Sequence, residues 1–310
     1  MGDNHDQFSN LAPEDTAEAL LMAGKMGVAV EFDVLALSGD ERRGDRNRND
    51  TDLLIVHHDT KTGRIFELPG RQRPVRHLTR QEWEKVRPSV RGNKQVLEQL
   101  YGAPVRLKST YVSARPPKAK PLIRELLRQS DAHLYLELKM EDDTRWQAAN
   151  NARATHSRKY NYPEIKIAKL FEELEAENLN PHGRITVISF SPASLRLLHR
   201  LDPRIETGLS CVLSLKTADN LSKSKRFIER AQKGTGISAI LPPADAIRQP
   251  FMSAANSQGL RVLPWVEIQQ REEEASDFSR LIGTGVQGIL TNAPDLLMAH
   301  VGQNPFTLGA

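Results

Sequence analysis

Val28-Ala-Val-Glu-Phe-Asp-Val34 is the stretch on which the fold turns. Its valines and Phe32 read as a strand, yet Glu31 and Asp33 interrupt it two residues apart. Pleating with a period of two sends both carboxylates to the same face. Two acids on one face of an apolar strand are costly unless something positive sits between them.

Working outward, short β-branched runs recur at residues 52–57, 133–139, 184–190, 206–211, 237–241, 261–266 and 288–291. Between them lie helix-period segments at 13–26, 163–179, 192–201, 244–258 and 270–282. In 163–179, Ile165, Ile167, Ala168, Leu170, Phe171 and Leu174 gather on one side of a helical wheel. This alternation predicts βα units and a parallel sheet. About eight repeats in 310 residues place an α/β architecture of the (β/α)8 TIM barrel type ahead of a doubly wound open sheet.

Two stretches break the rhythm. Residues 39–51 carry no apolar side chain and read as a solvated loop. Residues 61–120 form a basic, proline-bearing excursion, expected as an insertion over one rim of a single barrel domain spanning 1–310.

Lys and Arg number 43 against 39 Asp and Glu, a net charge of +4 with the signs interspersed, so no nucleic-acid partner is expected. Charges interrupt every apolar run before it reaches the length of a membrane span, and the polar first residues lack the apolar stretch of a secretory signal. A cytoplasmic address is therefore the expectation. The single cysteine, Cys211, excludes an internal disulfide framework and sits in Gly208-Leu-Ser-Cys-Val-Leu213, where a buried inert thiol is expected.

Glu137 and Lys139 repeat the two-residue spacing in 133–139. Glu31, Asp33 and Glu137 are either charges at the rim, where strands end, or three oxygen donors for a divalent cation. An all-carboxylate set suits Mg²⁺ or Ca²⁺ better than Zn²⁺. His57 and His58 are adjacent, so pleating turns one inward and the other out. His77, His133, His156, His182, His199 and His300 stand in polar or helical surroundings and read as structural or exposed.

The order of these pieces resembles the glycerophosphodiester phosphodiesterase family. His5, Ala12-Pro-Glu-Asp-Thr16, Gly27-Val-Ala-Val-Glu-Phe-Asp-Val34 and His58-Asp59 are similar to the family's His-Arg-Gly, Ala-Pro-Glu-Asn-Thr, Gly…Glu-x-Asp-Val and His-Asp. Pro121-Leu-Ile-Arg-Glu-Leu-Leu127, Leu136-Glu-Leu-Lys139, Ser189-Phe190, Trp265 and Gly285-Val-Gln-Gly-Ile-Leu-Thr-Asn-Ala-Pro294 follow in the family's order.

The resemblance implies a (β/α)8 barrel and metal-dependent hydrolysis of a small-molecule glycerophosphodiester to glycerol 3-phosphate and an alcohol, a step of lipid metabolism. By motif position, Glu31, Asp33 and Glu137 would hold the divalent cation, Mg²⁺ or Ca²⁺. His5 and His58 would be the catalytic histidines, with Lys139 near the phosphate and Trp265 on the glycerol side. Barrel sites lie at the C-terminal ends of the strands, and these acids sit late in theirs.

Several positions depart from the family pattern. Asp6 and Gln7 stand where the family has Arg and Gly, only Met1-Gly-Asp-Asn4 precedes His5, Asn292 replaces Asp, and Val266-Glu-Ile268 replaces Thr-Val-Asn. An aspartate at position 6 would repel a phosphate that an arginine would grip. It favours a second reading, a barrel with weakened chemistry that binds a phosphoester or a protein. A third reading is a phospholipase D-like enzyme acting on lysolipids. The oligomeric state is not legible from the sequence.

Overall fold

The structure is a computed structural model; it describes residues 9–11, 15–38, 49–68, 72–102, 106–107, 116–139, 162–266 and 271–302, with backbone alone at 9–11, 106–107 and 271–274. In chain order the strands are β1 (Ser9–Leu11), β2 (Val30–Ala36), β3 (Leu54–Val56), β4 (Phe66–Glu67), β5 (Arg87–Pro88), β6 (Arg106–Leu107), β7 (Leu134–Leu138), β8 (Ile185–Ser189), β9 (Glu206–Ser210), β10 (Ile237–Leu241) and β11 (Arg261–Val262). Seven of them form one sheet in the order β11-β10-β9-β8-β7-β2-β3. Every pairing in it is parallel except β2 with β3. No helix of the described residues is long and apolar enough to cross a membrane.

The sheet curls. In a flat sheet β7 and β11, four places apart, would lie roughly 19 Å from each other. Yet Arg261 Nη1 comes within 3.5 Å of the Tyr135 hydroxyl, and Tyr135, Ile188, Ala239, Leu241 and Leu263 share one interior cluster with Trp265 and Leu290. Parallel bridges from Trp265 to Pro243 and Leu290 carry the curve one place further. The fold is thus an α/β barrel, and among the described residues the ring is not closed.

Alternation along the strands separates two environments. Val30, Phe32 and Val34 of β2 join Leu134, Leu136 and Leu138 of β7 against the helices Ala17–Lys25, Ala119–Gln129 and Pro163–Ala176. Glu31, Asp33, Tyr135 and Glu137 occupy the other face by register, because Glu31 pairs with Tyr135 and Asp33 with Glu137. On the far side of the sheet, Leu209, Ile240 and Val262 pack with Phe227, Ile228, Phe251 and Met252 of the outer helices. Cys211 belongs to that core, fully buried and free, and burial pushes its thiol well above the usual range. Gly208 keeps β9 close to its neighbours: a Cβ there would meet Ile188 Cγ2 and Leu241 Cδ1, each at 3.0 Å.

The N-terminal ends of the strands carry a polar floor. Thr186 Oγ1 donates to Glu206 Oε2 (2.8 Å), Ser238 Oγ donates to Glu206 Oε1 (2.7 Å), and Arg261 Nη2 pairs with the same carboxylate. His133 Nε2 joins at Thr186 Oγ1, 2.8 Å away.

Several expectations change. Residues 52–57 do not form a parallel stave: Thr51–Leu53 is a 3₁₀ turn and β3 returns antiparallel on β2. A parallel crossover needs a connecting helix, and the apolar-free loop at 39–51 offers nothing from which to build one. Residues 261–266 shorten to β11 plus the Trp265 bridge, since Pro264 cannot donate to a ladder, and 288–291 reduce to the bridge at Leu290. The first helix begins at Ala17, because Asp15 adopts a left-handed conformation (φ 56°) just before the Thr16 cap.

The 61–120 excursion buries more apolar surface than its sequence promised. Ile65, Phe66, Val75, Leu78, Trp83 and Val86 close a third core with Leu35, Leu37, Leu53 and Ile55 of the β2–β3 hairpin.

Candidate active site

β2 and β7 bring three carboxylates together: ligand oxygens of Glu31, Asp33 and Glu137 all lie within 4.8 Å of one another. Among the described residues this is the one such grouping of acids, histidines or cysteine. Parallel register explains it, since Asp33 and Glu137 are direct neighbours and Glu31 is two residues back on the same face.

Lys139 answers part of the charge. Its Nζ lies 3.1 Å from Asp33 Oδ1 and 2.6 Å from Glu137 Oε1, and its backbone N–H donates to Val34 O. One ammonium faces three acids. Burial, followed by the charges of Asp33 and Glu137, raises the Glu31 carboxyl well above its ordinary range. Glu137 is raised too, mainly by burial and against the pull of Lys139. Burial alone would lower Lys139, but the carboxylates override it and hold the ammonium firmly charged.

A donor set of clustered, incompletely neutralised carboxylates fits a hard divalent cation. A bound cation would oppose the upward push that burial and the neighbouring acids exert on the Glu31 carboxyl.

The two histidines follow β3 rather than lie in it, and they differ in burial. The backbone N–H of His57 donates to Asp33 O (3.1 Å), and its ring is fully buried between Phe66 and Trp83, with centroids 5.5 and 5.6 Å away. His58 turns outward with 44% of its side chain exposed. Its backbone N–H donates to Asp15 Oδ2 (2.6 Å), and its Nδ1 lies 3.1 Å from Asp59 Oδ1. Arg64 Nε donates to both oxygens of Asp59, at 3.0 and 2.9 Å. Burial pushes the Asp59 carboxyl up, but hydrogen bonds from His58 and Arg64 outweigh it and bring it down to about 2.

Trp265 stands partly buried at the C-terminal end of the interior cluster, edge-on to Phe190 at 6.4 Å. Its indole N–H is spent on Leu241 O (3.1 Å), so the residue offers an aromatic surface rather than a donor. His5 and Asp6 lie outside the described residues. Arg64 and Asp15 were not singled out for the site by sequence reasoning; the one signal near Arg64 was the sequence Asp59-Thr-Lys-Thr-Gly-Arg64 directly after the histidine pair.

Comparison with known proteins gives the family and the fold. A Bacillus subtilis glycerophosphodiester phosphodiesterase is 26% identical over 202 residues, which is 61% of this chain and 59% of the length of that relative. Solved structures give the fold across nearly the whole chain. A phosphodiesterase from Oleispira antarctica in complex with the product sn-glycerol-3-phosphate aligns with a TM-score of 0.62 and 18% identity, covering 94% of this chain and 92% of its own. A glycerophosphodiester phosphodiesterase from Agrobacterium tumefaciens gives 0.58 and 18%, with 94% and 95% covered. The family model described as the glycerophosphoryl diester phosphodiesterase family matches residues 5–296, and the chain belongs to that family.

Proposed function

We propose that the protein hydrolyses glycerophosphodiesters to glycerol 3-phosphate and an alcohol, with a divalent cation held by Glu31, Asp33 and Glu137. The observation that carries this reading is the convergence of those three carboxylates on the inner face of β2 and β7, in a chain of this family. The Oleispira antarctica neighbour, which holds sn-glycerol-3-phosphate, supplies the product class.

The cation, when bound, would neutralise phosphoryl oxygens and so lower the barrier to attack on phosphorus. The chain's own residues do the rest. Lys139 places an ammonium beside the same carboxylates, where it gives a phosphate oxygen a second positive partner. Trp265 presents its ring to the carbon skeleton of the glycerol. With Nδ1 engaged by Asp59, His58 exchanges its proton at Nε2 with the oxygen that enters or the oxygen that leaves. Water supplies a hydroxyl to phosphorus and a proton to the departing alkoxide, so the P–O bond to the alcohol breaks as the new one forms. His5 is the second acid–base group in this reading.

Release of glycerol 3-phosphate from glycerophosphocholine with Mg²⁺ or Ca²⁺, and its loss in EDTA, is the test. Activity that survives complete chelation, or no release with either metal, refutes the reading.

A further inference from the structure

The contact between His58 and Asp59 continues into the 61–120 excursion through Arg64. Asp59 Oδ1 lies 3.1 Å from His58 Nδ1, while Arg64 Nη2 lies 3.4 Å from the same nitrogen. That nitrogen cannot donate to the carboxylate and accept from the guanidinium at once. The carboxylate contact is the shorter, and an unprotonated Nδ1 would set two acceptors against each other. The geometry therefore favours a proton on Nδ1.

Arg64 is itself fixed from behind. Asn93 Nδ2 donates to Ile65 O (2.7 Å), and the backbone N–H of Ser89 donates to the same oxygen (2.8 Å). Gly92, in the helix Val90–Tyr101, lets the chain come so close that an added Cβ would sit 1.6 Å from Arg64 O. A helix of the excursion thus holds the backbone that carries the guanidinium.

We infer that Asp59 and Arg64 are positioning residues for His58: Asp59 holds the imidazole as its Nδ1–H tautomer, and Arg64, braced by Gly92 and Asn93, holds Asp59. This rests on the assignment of His58 as an acid–base group. It adds a role for the excursion, which would steady the chemistry from outside the barrel. Arg64 is suited to this because its guanidinium is planar and rigid, so the Nε–H that faces both Asp59 oxygens keeps its direction better than a rotating lysine ammonium would.

The experiment pairs a spectroscopic readout with kinetics on the full chain. ¹⁵N shifts of the His58 ring should show Nδ1 protonated and Nε2 unprotonated in the neutral parent. Asp59→Asn and Arg64→Gln should shift this towards a mixture, and Arg64→Lys should fall between. This readout decides the inference even if no glycerophosphodiester is cleaved, so its failure and that of the proposed function are distinguishable. A neutral parent with its proton on Nε2, or shifts indifferent to both variants, would overturn it.

In the hydrolysis assay each single variant should lose about 10–100-fold in kcat with KM little changed. Neither should cost anything further in a His58→Ala background, because groups that act through one residue are not additive. An equal additional loss in that background would show that Asp59 and Arg64 act elsewhere and overturns the inference.

Discussion

The backbone N–H of His58 donates to Asp15 Oδ2 across 2.6 Å and 43 residues of sequence, tying the start of the first helix to the candidate acid–base residue. Asp15 manages this from a left-handed backbone conformation, which aspartate and asparagine tolerate better than most residues. Asp15→Ala should lose about 1–3 kcal/mol for the abandoned amide, together with backbone strain, and should lower kcat. Asp15→Asn keeps both the acceptor and the conformation and removes one of the charges pressing on Glu31. It should stay close to the parent in urea unfolding. Equal losses in the two variants would show that the charge, not the tether, is what matters.

The acidic cluster makes a signed prediction about pH. Because Glu31 and Glu137 hold their protons more tightly folded than unfolded, the metal-free protein binds more protons in the native state above the ordinary carboxylate range. Their contribution to stability therefore declines as pH rises from about 4.5 towards the raised values. A divalent cation bound there would reverse this by favouring the ionised cluster, and at 100 times its dissociation constant it would add about 2.7 kcal/mol. The rise in melting temperature on adding Mg²⁺ or Ca²⁺ should be larger at pH 8 than at pH 5. Glu31→Gln should raise the melting temperature in EDTA and weaken the response to metal. A metal response that is the same at both pH values would count against the cluster as its site.

Lys139 tests the same cluster from the cationic side. Its Nζ is the positive partner of Asp33 and Glu137, all three side chains being 15% exposed or less. Removing one member of a buried ion pair strands the others, at a cost of about 3–5 kcal/mol. Lys139→Met should therefore be strongly destabilised in EDTA and partly restored by divalent cation, which can replace the missing charge. KM for a glycerophosphodiester should rise in the same variant. Parent-like stability in EDTA would mean that the carboxylates find another counter-charge.

The barrel and its acidic face were readable because both follow from strict periodicities. Glu31 with Asp33, and Glu137 with Lys139, declare their common face by spacing alone, and register does the rest. The helix at Pro192–Leu201 coincides with its sequence reading because Ser191 and Pro192 mark its start unambiguously. The antiparallel return of β3 was not readable, since an isolated apolar run such as Leu53-Leu-Ile-Val56 carries no direction. Nor was the third core, whose members between Ile65 and Val86 follow no strand or helix period and meet only after the chain has turned several times. Arg64 was hidden for a related reason. Its partner is five residues away through a glycine-bearing turn, a separation that matches neither a helical nor a strand period.

His57 and His58 should respond oppositely to substitution and to pH. His57 is fully buried against Phe66 and Trp83, and burial lowers its imidazole from 6.5 to about 4, with Asp59 pulling weakly the other way. In this range the unfolded chain binds the proton and the native chain does not, so stability rises with pH. The His57 contribution is fully present above pH 6.5 and is lost as pH falls towards 4, by about 3 kcal/mol in all. Glu31 and Glu137 act in the opposite sense, so the quantity to measure is the difference between parent and variant. His57→Leu should flatten the acid limb of the stability curve while leaving kcat at neutral pH within a few-fold of the parent. His57→Ala should in addition open a cavity beside Phe66 and Trp83, costing about 2–4 kcal/mol. His58→Ala should do the reverse, sparing stability and reducing kcat by about 10²–10⁴. Urea titrations between pH 4 and pH 8, with steady-state rates on the same preparations, separate the two residues. If His57→Leu abolished hydrolysis while His58→Ala left it intact, the acid–base role would have to move from His58 to His57.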